Sequence, residues 1–286
     1  YEEAMALQQF SGCSRAIADG TGHFMAVRSN YGTSIMPSVF GAELFVMDKA
    51  LNTLPTSRPL AGGQDAFKRL VRRGVPELRT GQGALVFEMG QRFLDLMKPY
   101  PRIRRYVHVY HPDMQGAMDV CELLWGSGMF LDLFDAPDLV KDTLGLISET
   151  YIRFMREWDR IVPFPEGYSV HWAMMHRGHI MLRQDSAMNL SPGMYDEFIR
   201  PYDGRLLREL GGGALHFCGR GDHYIASACG MGGLHAIAMS QPELNDMEAI
   251  YRNTVDKGIK LIGFRREAAE TALKAGRDLS GHVHGA

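Results

Sequence analysis

The chain has 286 residues, of which 45% are hydrophobic and 22% charged, and its formal net charge is −2 at pH 7. This length allows one large core, and a near-neutral charge without a basic run argues against a nucleic-acid-binding protein. No apolar run approaches the roughly 20 residues that span a bilayer. Four cysteines are too few for a disulfide framework, so we expect a cytoplasmic protein that docks on no membrane.

The first half of the chain is predicted to contain helices, two strands and one long irregular segment. The chain starts at Tyr1 without a methionine or a signal-like segment, so we expect an N-terminal truncation. About fifty residues after Gly32 are predicted to form a long irregular excursion, because prolines and glycines interrupt them. Spacing and start signals predict, in chain order, a peripheral helix over 1–18, a strand over 22–29, a helix over 84–98, a strand over 105–110, a helix over 117–124 and a long helix from Pro137.

The second half alternates short apolar runs with helical stripes. The predicted elements are strands over 167–172 and 178–185, a helix from Ser191-Pro192 that Pro201 kinks, a strand ending at Cys218, a helix over 223–229, a strand over 234–240, a helix capped by Asn245 with Glu248, a strand over 260–264, a helix over 267–275 and a strand over 280–284. Eight strands that mostly alternate with helices predict a single α/β domain over 1–286, a closed (β/α)8 barrel of the TIM type. An open doubly wound sheet is the alternative, but no Gly-x-Gly-x-x-Gly fingerprint follows a strand.

The run from Gly211 to Gly219 carries the clearest chemical signal. Side chains alternate along a strand, so His216 and Cys218 are expected to share one face while Leu215 and Phe217 share the other. Imidazole and thiolate are ligands that zinc prefers, so the pair predicts a metal site. The competing interpretation is a small buried cysteine beside a hydrogen-bonded core histidine.

Other candidate residues follow the predicted strands, where a barrel of this type places its chemistry. His284, or His282 in its place, would give zinc a third ligand and leave one position open, although both could simply be solvated near the chain end. Asp185 is a candidate general base or partner of a ligand, and Asp222 a candidate for the same roles or for a helix cap. The candidate substrate-binding residues are Asn30, Trp172, Gln241, Glu243 and Arg265.

Several of these segments resemble the uroporphyrinogen decarboxylase superfamily. They are Gln184–Pro192, Glu197–Tyr202 and His216–Gly219, with Gln115–Ala117 and Leu123–Gly126 earlier in the chain. The resemblance covers residues 105–286 well and the first hundred poorly. It implies a (β/α) barrel and one of two chemistries: metal-free decarboxylation of a porphyrinogen, or zinc-dependent methyl transfer from a corrinoid to a thiol.

The His-x-Cys motif is similar to the methyltransferase branch, which also has a cysteine near its last strand where this chain has His282-Val283-His284. The resemblance therefore implies zinc, a small-molecule thiol acceptor and a methylated corrinoid on a separate carrier protein, and an oligomer is compatible with it. One alternative is decarboxylation of a porphyrinogen whose carboxylates pair with arginines, namely Arg28, Arg183, Arg220 and Arg265. The other is a barrel that binds a tetrapyrrole or corrinoid without catalysis.

Overall fold

A computed structural model describes residues 2–20, 24–48, 50, 55–172 and 174–285. The chain divides into two compact units, one of residues 1–164 and 170–173 and the other of residues 165–169 and 174–286. Residues 22 and 23, which begin the first predicted strand, lie outside the described residues. None of the described helices combines the length and apolar character that crossing a bilayer requires.

The first unit is mainly helical. Its helices are α1 (Glu2–Asp19), α2 (Ile35–Val39), α3 (Gly63–Arg73), α4 (Gly81–Met97), α5 (Pro101–Tyr106), α6 (Ala117–Trp125), α7 (Met129–Asp135) and α8 (Pro137–Ile161). Its strands are β1 (Ala26–Arg28), β2 (Leu44–Phe45), β3 (Thr56–Ser57) and β4 (His108–Tyr110). Strands β1 and β4 pair in parallel, and β2 and β3 pair antiparallel.

Helix α8 supplies much of the core of this unit. It begins at Pro137, as predicted, because proline lacks only a backbone N–H that the first helical turn leaves unpaired anyway. The predicted apolar stripe is buried, including Val140, Leu144, Ile147, Tyr151, Phe154, Met155 and Trp158. Gly90 of α4 faces Trp158 so closely that a Cβ atom there would lie 2.6 Å from the indole ring. The glycine therefore permits the two helices to pack at this distance.

The prediction of a long irregular excursion after Gly32 is wrong, because this region contains α2, β2, β3 and α3. Helix α3 carries Phe67, Leu70 and Val71 at helical spacing, and Phe67 is buried against Trp125 with ring centroids 3.7 Å apart. The glycines just before the helix suggested a loop and hid this short stripe.

The second unit alternates strands and helices. Strand β5 (Tyr168–His171) is divided between the units, with its first two residues in the second unit and its last two in the first. The elements that follow are β6 (Met174–Arg177), β7 (Ile180–Arg183), α9 (Pro192–Phe198), α10 (Arg200–Glu209), β8 (Gly213–Phe217), α11 (Ile225–Cys229), β9 (Leu234–Met239), α12 (Met247–Asn253), β10 (Lys260–Phe264), α13 (Arg266–Lys274) and β11 (Val283–Gly285). Strands β7 to β11 form one parallel sheet in sequence order. Their carboxyl ends therefore share one edge.

The α/β class and the parallel sheet are confirmed, but the closed ring is not. Each of the eight predicted strands overlaps an observed strand, and β2, β3 and β6 are additional. Among the described residues, strands β7 to β11 form an open sheet, while β1 with β4 and β5 with β6 form separate pairs. The strands β1, β4 and β11 have only three residues each, so they offer few backbone groups for the pairing that closure needs.

Two helix boundaries test the sequence signals in the second unit. Ser191 caps α9 as predicted, since its hydroxyl accepts a hydrogen bond from the Met194 N–H at 3.3 Å. The expected kink at Pro201 is instead a break between α9 and α10, which places the proline in the first turn of α10. A proline is tolerated there because the first turn does not use its N–H.

Candidate metal centre

Strand β8 places His216 and Cys218 side by side, as its alternation predicted. Leu215 and Phe217 are fully buried on one face, whereas His216 and Cys218 are half-buried on the other. The Cys218 Sγ atom lies 3.6 Å from His216 Nε2. Cys218 immediately follows the last residue of the strand, so both side chains lie at the carboxyl edge of the sheet.

Asp185 joins the pair from the neighbouring strand. Arg183, the last residue of β7, is in register with His216, and Asp185 follows two residues later. Its Oδ1 atom accepts a hydrogen bond from the Cys218 backbone N–H at 2.8 Å. Within the described part of the chain, Asp185, His216 and Cys218 are the one group of three or more metal-ligating side chains whose ligand atoms lie within 4.8 Å of one another.

The spacing of the sulfur and nitrogen donors fits a tetrahedral zinc ion. Zinc binds nitrogen at about 2.1 Å and thiolate sulfur at about 2.3 Å, so a tetrahedral angle separates the two ligand atoms by about 3.6 Å. The measured separation of Sγ and Nε2 is 3.6 Å. The carboxylate of Asp185 is exposed, so a fourth ligand would have access from solvent. The residues present therefore fit a metal with three protein ligands and an open position.

Ser240 is a further neighbour of the sulfur that the sequence did not single out. It follows β9, its backbone N–H donates to Phe217 O at 3.2 Å, and its Oγ atom lies 3.4 Å from Cys218 Sγ. Its position at the end of a predicted strand could have identified Ser240, since the adjacent Gln241 was selected for that position. A hydroxyl at this distance donates a hydrogen bond when the sulfur is a thiolate.

The loop after Cys218 is held by two amide side chains. Gln241 Oε1 accepts from the Gly219 N–H at 2.6 Å, so this predicted substrate-binding residue has a structural partner in the loop. Asn245 Oδ1 accepts from the N–H groups of Gly221 and Asp222 at 2.7 and 3.0 Å, and Asn245 Nδ2 donates to the carbonyls of Gly219 and Gln241 at 3.0 and 2.7 Å. The prediction that Asn245 caps α12 is wrong. Asp246 is the cap, and its Oδ1 accepts from the next helical N–H groups.

Replacing Asn245 with alanine is expected to destabilise the protein by about 2 kcal/mol, because four hydrogen bonds are lost and partly buried backbone groups lose their partner. Urea unfolding measures this change. The exposed Asn189→Ala is the matched control and should stay within about 0.5 kcal/mol of the wild type. Equal stabilities for the two variants would contradict the assignment of Asn245 as the loop anchor.

Asp222, a predicted catalytic residue, lies in this loop network instead of the metal group. Its carboxylate pairs with Arg220 Nε at 2.7 Å and accepts from the Asp246 N–H at 2.8 Å. Partial burial alone would raise the pKa of Asp222. The hydrogen bond from the Asp246 N–H and the Arg220 guanidinium together lower the pKa by more, so it lies below its ordinary value. The neighbouring His223 contacts the Leu190 carbonyl at 3.0 Å. These contacts give Asp222 a structural role in the loop.

A buried pair lies next to Asp185 in sequence. Gln184 is fully buried, and its Nε2 atom donates to both carboxylate oxygens of Asp203 on α10 at 2.7 Å. The Gln184 backbone N–H donates to the His216 carbonyl at 3.0 Å. The segment that carries Asp185 is therefore fixed both to the helix behind it and to β8.

The remaining predicted site residues lie elsewhere. His282 and His284 belong to the β11 end of the sheet, two strands beyond β9, and His282 contacts Lys260 Nζ. The structure thus brings Asp185, and neither histidine, to the His216–Cys218 pair. Glu243 and Arg265 form an exposed ion pair at 3.2 Å. Asn30 and Trp172 belong to the first unit, where the Asn30 N–H contacts Met5 Sδ at 3.3 Å and Trp172 has a φ of +47°.

The four cysteines are all free, and they differ in burial. Burial raises the pKa of Cys13, raises that of Cys121 still further, and raises the pKa of Cys229 to about 12. Cys218 is half-buried at the metal group. Cys229 is half-buried as well, but its raised pKa lowers its reactive thiolate fraction, so Cys218 is the thiol expected to react first.

Iodoacetamide at pH 8 is expected to label Cys218 first. With a pKa of about 12, Cys229 has a thiolate fraction of about 10⁻⁴ at pH 8, and its labelling should rise roughly tenfold for each pH unit up to pH 10. Peptide mass spectrometry after timed labelling measures both rates. Equal rates at Cys218 and Cys229 at pH 8 would contradict the accessibility of the candidate centre, and added zinc should slow labelling at Cys218 alone.

Comparison with known proteins gives a fold relative but no family. No model of a known protein family matches the chain, and no curated protein matches it. The structure resembles that of a methyltransferase from Methanosarcina mazei, with a TM-score of 0.67 and 17% sequence identity over 94% of this chain and 77% of that chain. At this identity the likeness shows a shared fold. The fold is therefore one that also occurs in a methyltransferase.

Proposed function

We propose that this chain is a zinc-dependent enzyme of methyl transfer, with Asp185, His216 and Cys218 as the protein ligands of the metal. The observation that carries the proposal is the convergence of one carboxylate, one imidazole and one thiol within 4.8 Å at the carboxyl edge of a parallel sheet. The shared fold with a methyltransferase and the resemblance of the His-x-Cys segment to the methyltransferase branch of the uroporphyrinogen decarboxylase superfamily support it.

Each ligand has a distinct task. Cys218 contributes a thiolate, and the Ser240 hydroxyl at 3.4 Å donates to that sulfur and moderates its charge. His216 contributes Nε2, the ring nitrogen that faces Cys218. Asp185 contributes a carboxylate whose other role, accepting the Cys218 N–H, keeps the two strand ends together.

The donor set suits thiol activation. When bound, zinc supplies Lewis acidity that favours the thiolate form of a thiol acceptor at neutral pH. The exposed side of the site, at Asp185, leaves room for a small thiol to enter. We propose a methylated corrinoid on a separate carrier protein as the methyl donor. Free cysteines and the need for a reduced acceptor fit a cytoplasmic protein.

The decarboxylase alternative has less support. Three of the four arginines that it assigns to substrate carboxylates already pair with acidic side chains of the chain itself. These pairs are Arg28 with Asp113, Arg220 with Asp222 and Arg265 with Glu243, at 3.5, 2.7 and 3.2 Å. A substrate carboxylate would have to compete with the acidic partner of each of these three arginines.

The test combines metal content with turnover. Purified protein loaded with zinc and freed of excess metal should retain about one zinc per chain, and should consume methylcobalamin in the presence of coenzyme M as the thiol, measured by the change in corrinoid absorbance. Chelator-treated protein should be inactive and regain activity on adding zinc. A Cys229→Ser variant, altered away from the site, serves as the control. A chain that retains zinc without turnover keeps the site and loses the reaction, whereas failure to retain zinc removes both.

A further inference from the structure

The first unit contains a cavity of the size that binds small ligands. A cavity of about 660 Å³ lies between one face of α1 and the end of α4 with α5, and we call it the α1–α5 groove. Ligand pockets typically measure about 300–1,000 Å³. The groove belongs wholly to the first unit, and it shares no residue with the candidate metal centre.

The groove is lined mainly by apolar side chains that remain open to solvent. From α1 come Leu7 and Ile17, which are 71% and 66% exposed, and from the opposite side come Tyr100 and Tyr106, which are 58% and 54% exposed. Leu7 and Ile17 are ten residues apart, so the lined face of α1 is at least about 15 Å long. Scattered apolar residues need no explanation, but a contiguous exposed set that lines one groove indicates a binding surface.

Cations accompany this apolar surface. Arg92 and Arg102 line the groove, and the segment 98–105 carries Lys98, Arg102, Arg104 and Arg105 without any acidic residue. In the described part of the chain, no ion pair joins Arg92, Arg102 or Lys98 to a carboxylate. Glu3 is the one acidic side chain among the residues that line the groove. The groove is therefore complementary to a molecule with an apolar tail and a negative head group.

We propose that the α1–α5 groove binds a long-chain carboxylate or another single-tailed anion. The tail lies along Leu7, Phe10 and Ile17 of α1, and the head group pairs with the Arg102 guanidinium, whose planar fork suits a carboxylate. The cavity volume of about 660 Å³ lies in the range of small-molecule pockets, which favours such a ligand over a docked protein. This binding does not depend on the metal centre or on methyl transfer.

The test is titration calorimetry of the full chain with dodecanoate below its micelle concentration, and with dodecyltrimethylammonium as the probe of opposite charge. Dodecanoate should bind saturably at one site, at least about tenfold more tightly than the cationic probe. Its carboxylate can form charge-assisted hydrogen bonds with the Arg102 guanidinium, and the ammonium group of the cationic probe cannot. Chelator-treated protein should give the same affinity. Failure of the proposed methyl transfer would thus leave this result unchanged.

Matched variants locate the site. Leu7→Asp and Arg102→Glu should each weaken dodecanoate binding at least about tenfold. Leu131→Asp on α7, where the leucine is 70% exposed, and Arg72→Glu on α3 are the controls and should stay within about twofold. All four positions are exposed, so thermal melts should show folded variants. Equal binding of both probes, equal weakening by the controls, or binding to anionic phosphatidylglycerol vesicles without binding of monomeric dodecanoate would each overturn the proposal.

Discussion

Replacing Cys218 with serine is expected to lower the zinc affinity of the chain by more than about 100-fold. Removing a residue that hydrogen-bonds to a metal ligand typically lowers metal affinity 10–100-fold. Removing a ligand itself should lower the affinity by more than that. Serine keeps the size and the backbone hydrogen bond to Asp185 but removes the thiolate, which is the softest donor and carries a full negative charge. Competition with a chromophoric chelator measures the affinity. Methyl transfer should fall to the level of the metal-free protein.

Two further variants separate the ligands from their surroundings. Asp185→Asn keeps an oxygen that can accept the Cys218 N–H but removes a charge, so zinc affinity should fall while the melting temperature changes little. Cys229→Ser keeps the full ligand set and should bind zinc as the wild type does. Cobalt substitution adds an independent measurement, because a sulfur-to-cobalt charge-transfer band should be present in the wild type and absent in Cys218→Ser. Unchanged zinc binding in Cys218→Ser would remove the assigned centre.

The two-residue periodicity of a strand is what made half of the site predictable. It placed His216 and Cys218 on one face, and the structure has their ligand atoms 3.6 Å apart. The strand candidates themselves followed from short apolar runs between turn residues, and each overlaps an observed strand. Local signals were sufficient because the contacts involved are set by positions close in sequence.

The parts that depend on pairing between distant segments were not predictable in the same way. Asp185 is 33 residues from Cys218, and its place beside the pair depends on the register of β7 against β8. Asn245 looked like a helix cap from its local sequence, yet its side chain binds a loop 24 and 26 residues away in sequence. His284 has the spacing of a ligand but lies on the strand at the far edge of the sheet. Sequence patterns give the face of a strand, and the register decides which faces meet.

Replacing Gly213 with alanine is expected to destabilise the protein by about 3 kcal/mol or more, and to lower its melting temperature by roughly 6–12 °C. A Cβ atom at Gly213 would lie 1.8 Å from the carbonyl oxygen of Ile180 and 2.8 Å from its carbonyl carbon. These are backbone atoms of β7, so no side chain can move aside to make room. Strand β8 would have to separate from β7, which would break hydrogen bonds between the two strands that carry the candidate ligands.

Gly193→Ala in α9 is the matched control, because a Cβ atom there meets no atom within 4 Å apart from its chain neighbours and the backbone of its own helix. It should change stability by less than about 1 kcal/mol, in the stabilising direction, since alanine has less conformational freedom in the unfolded chain. Differential scanning calorimetry of both variants measures the contrast. Zinc affinity should fall together with stability in Gly213→Ala, because the same displacement separates Asp185 from Cys218. A Gly213→Ala protein that melts like the wild type would mean that β7 and β8 do not approach each other this closely, and the register that brings the three ligands together would fail with that contact.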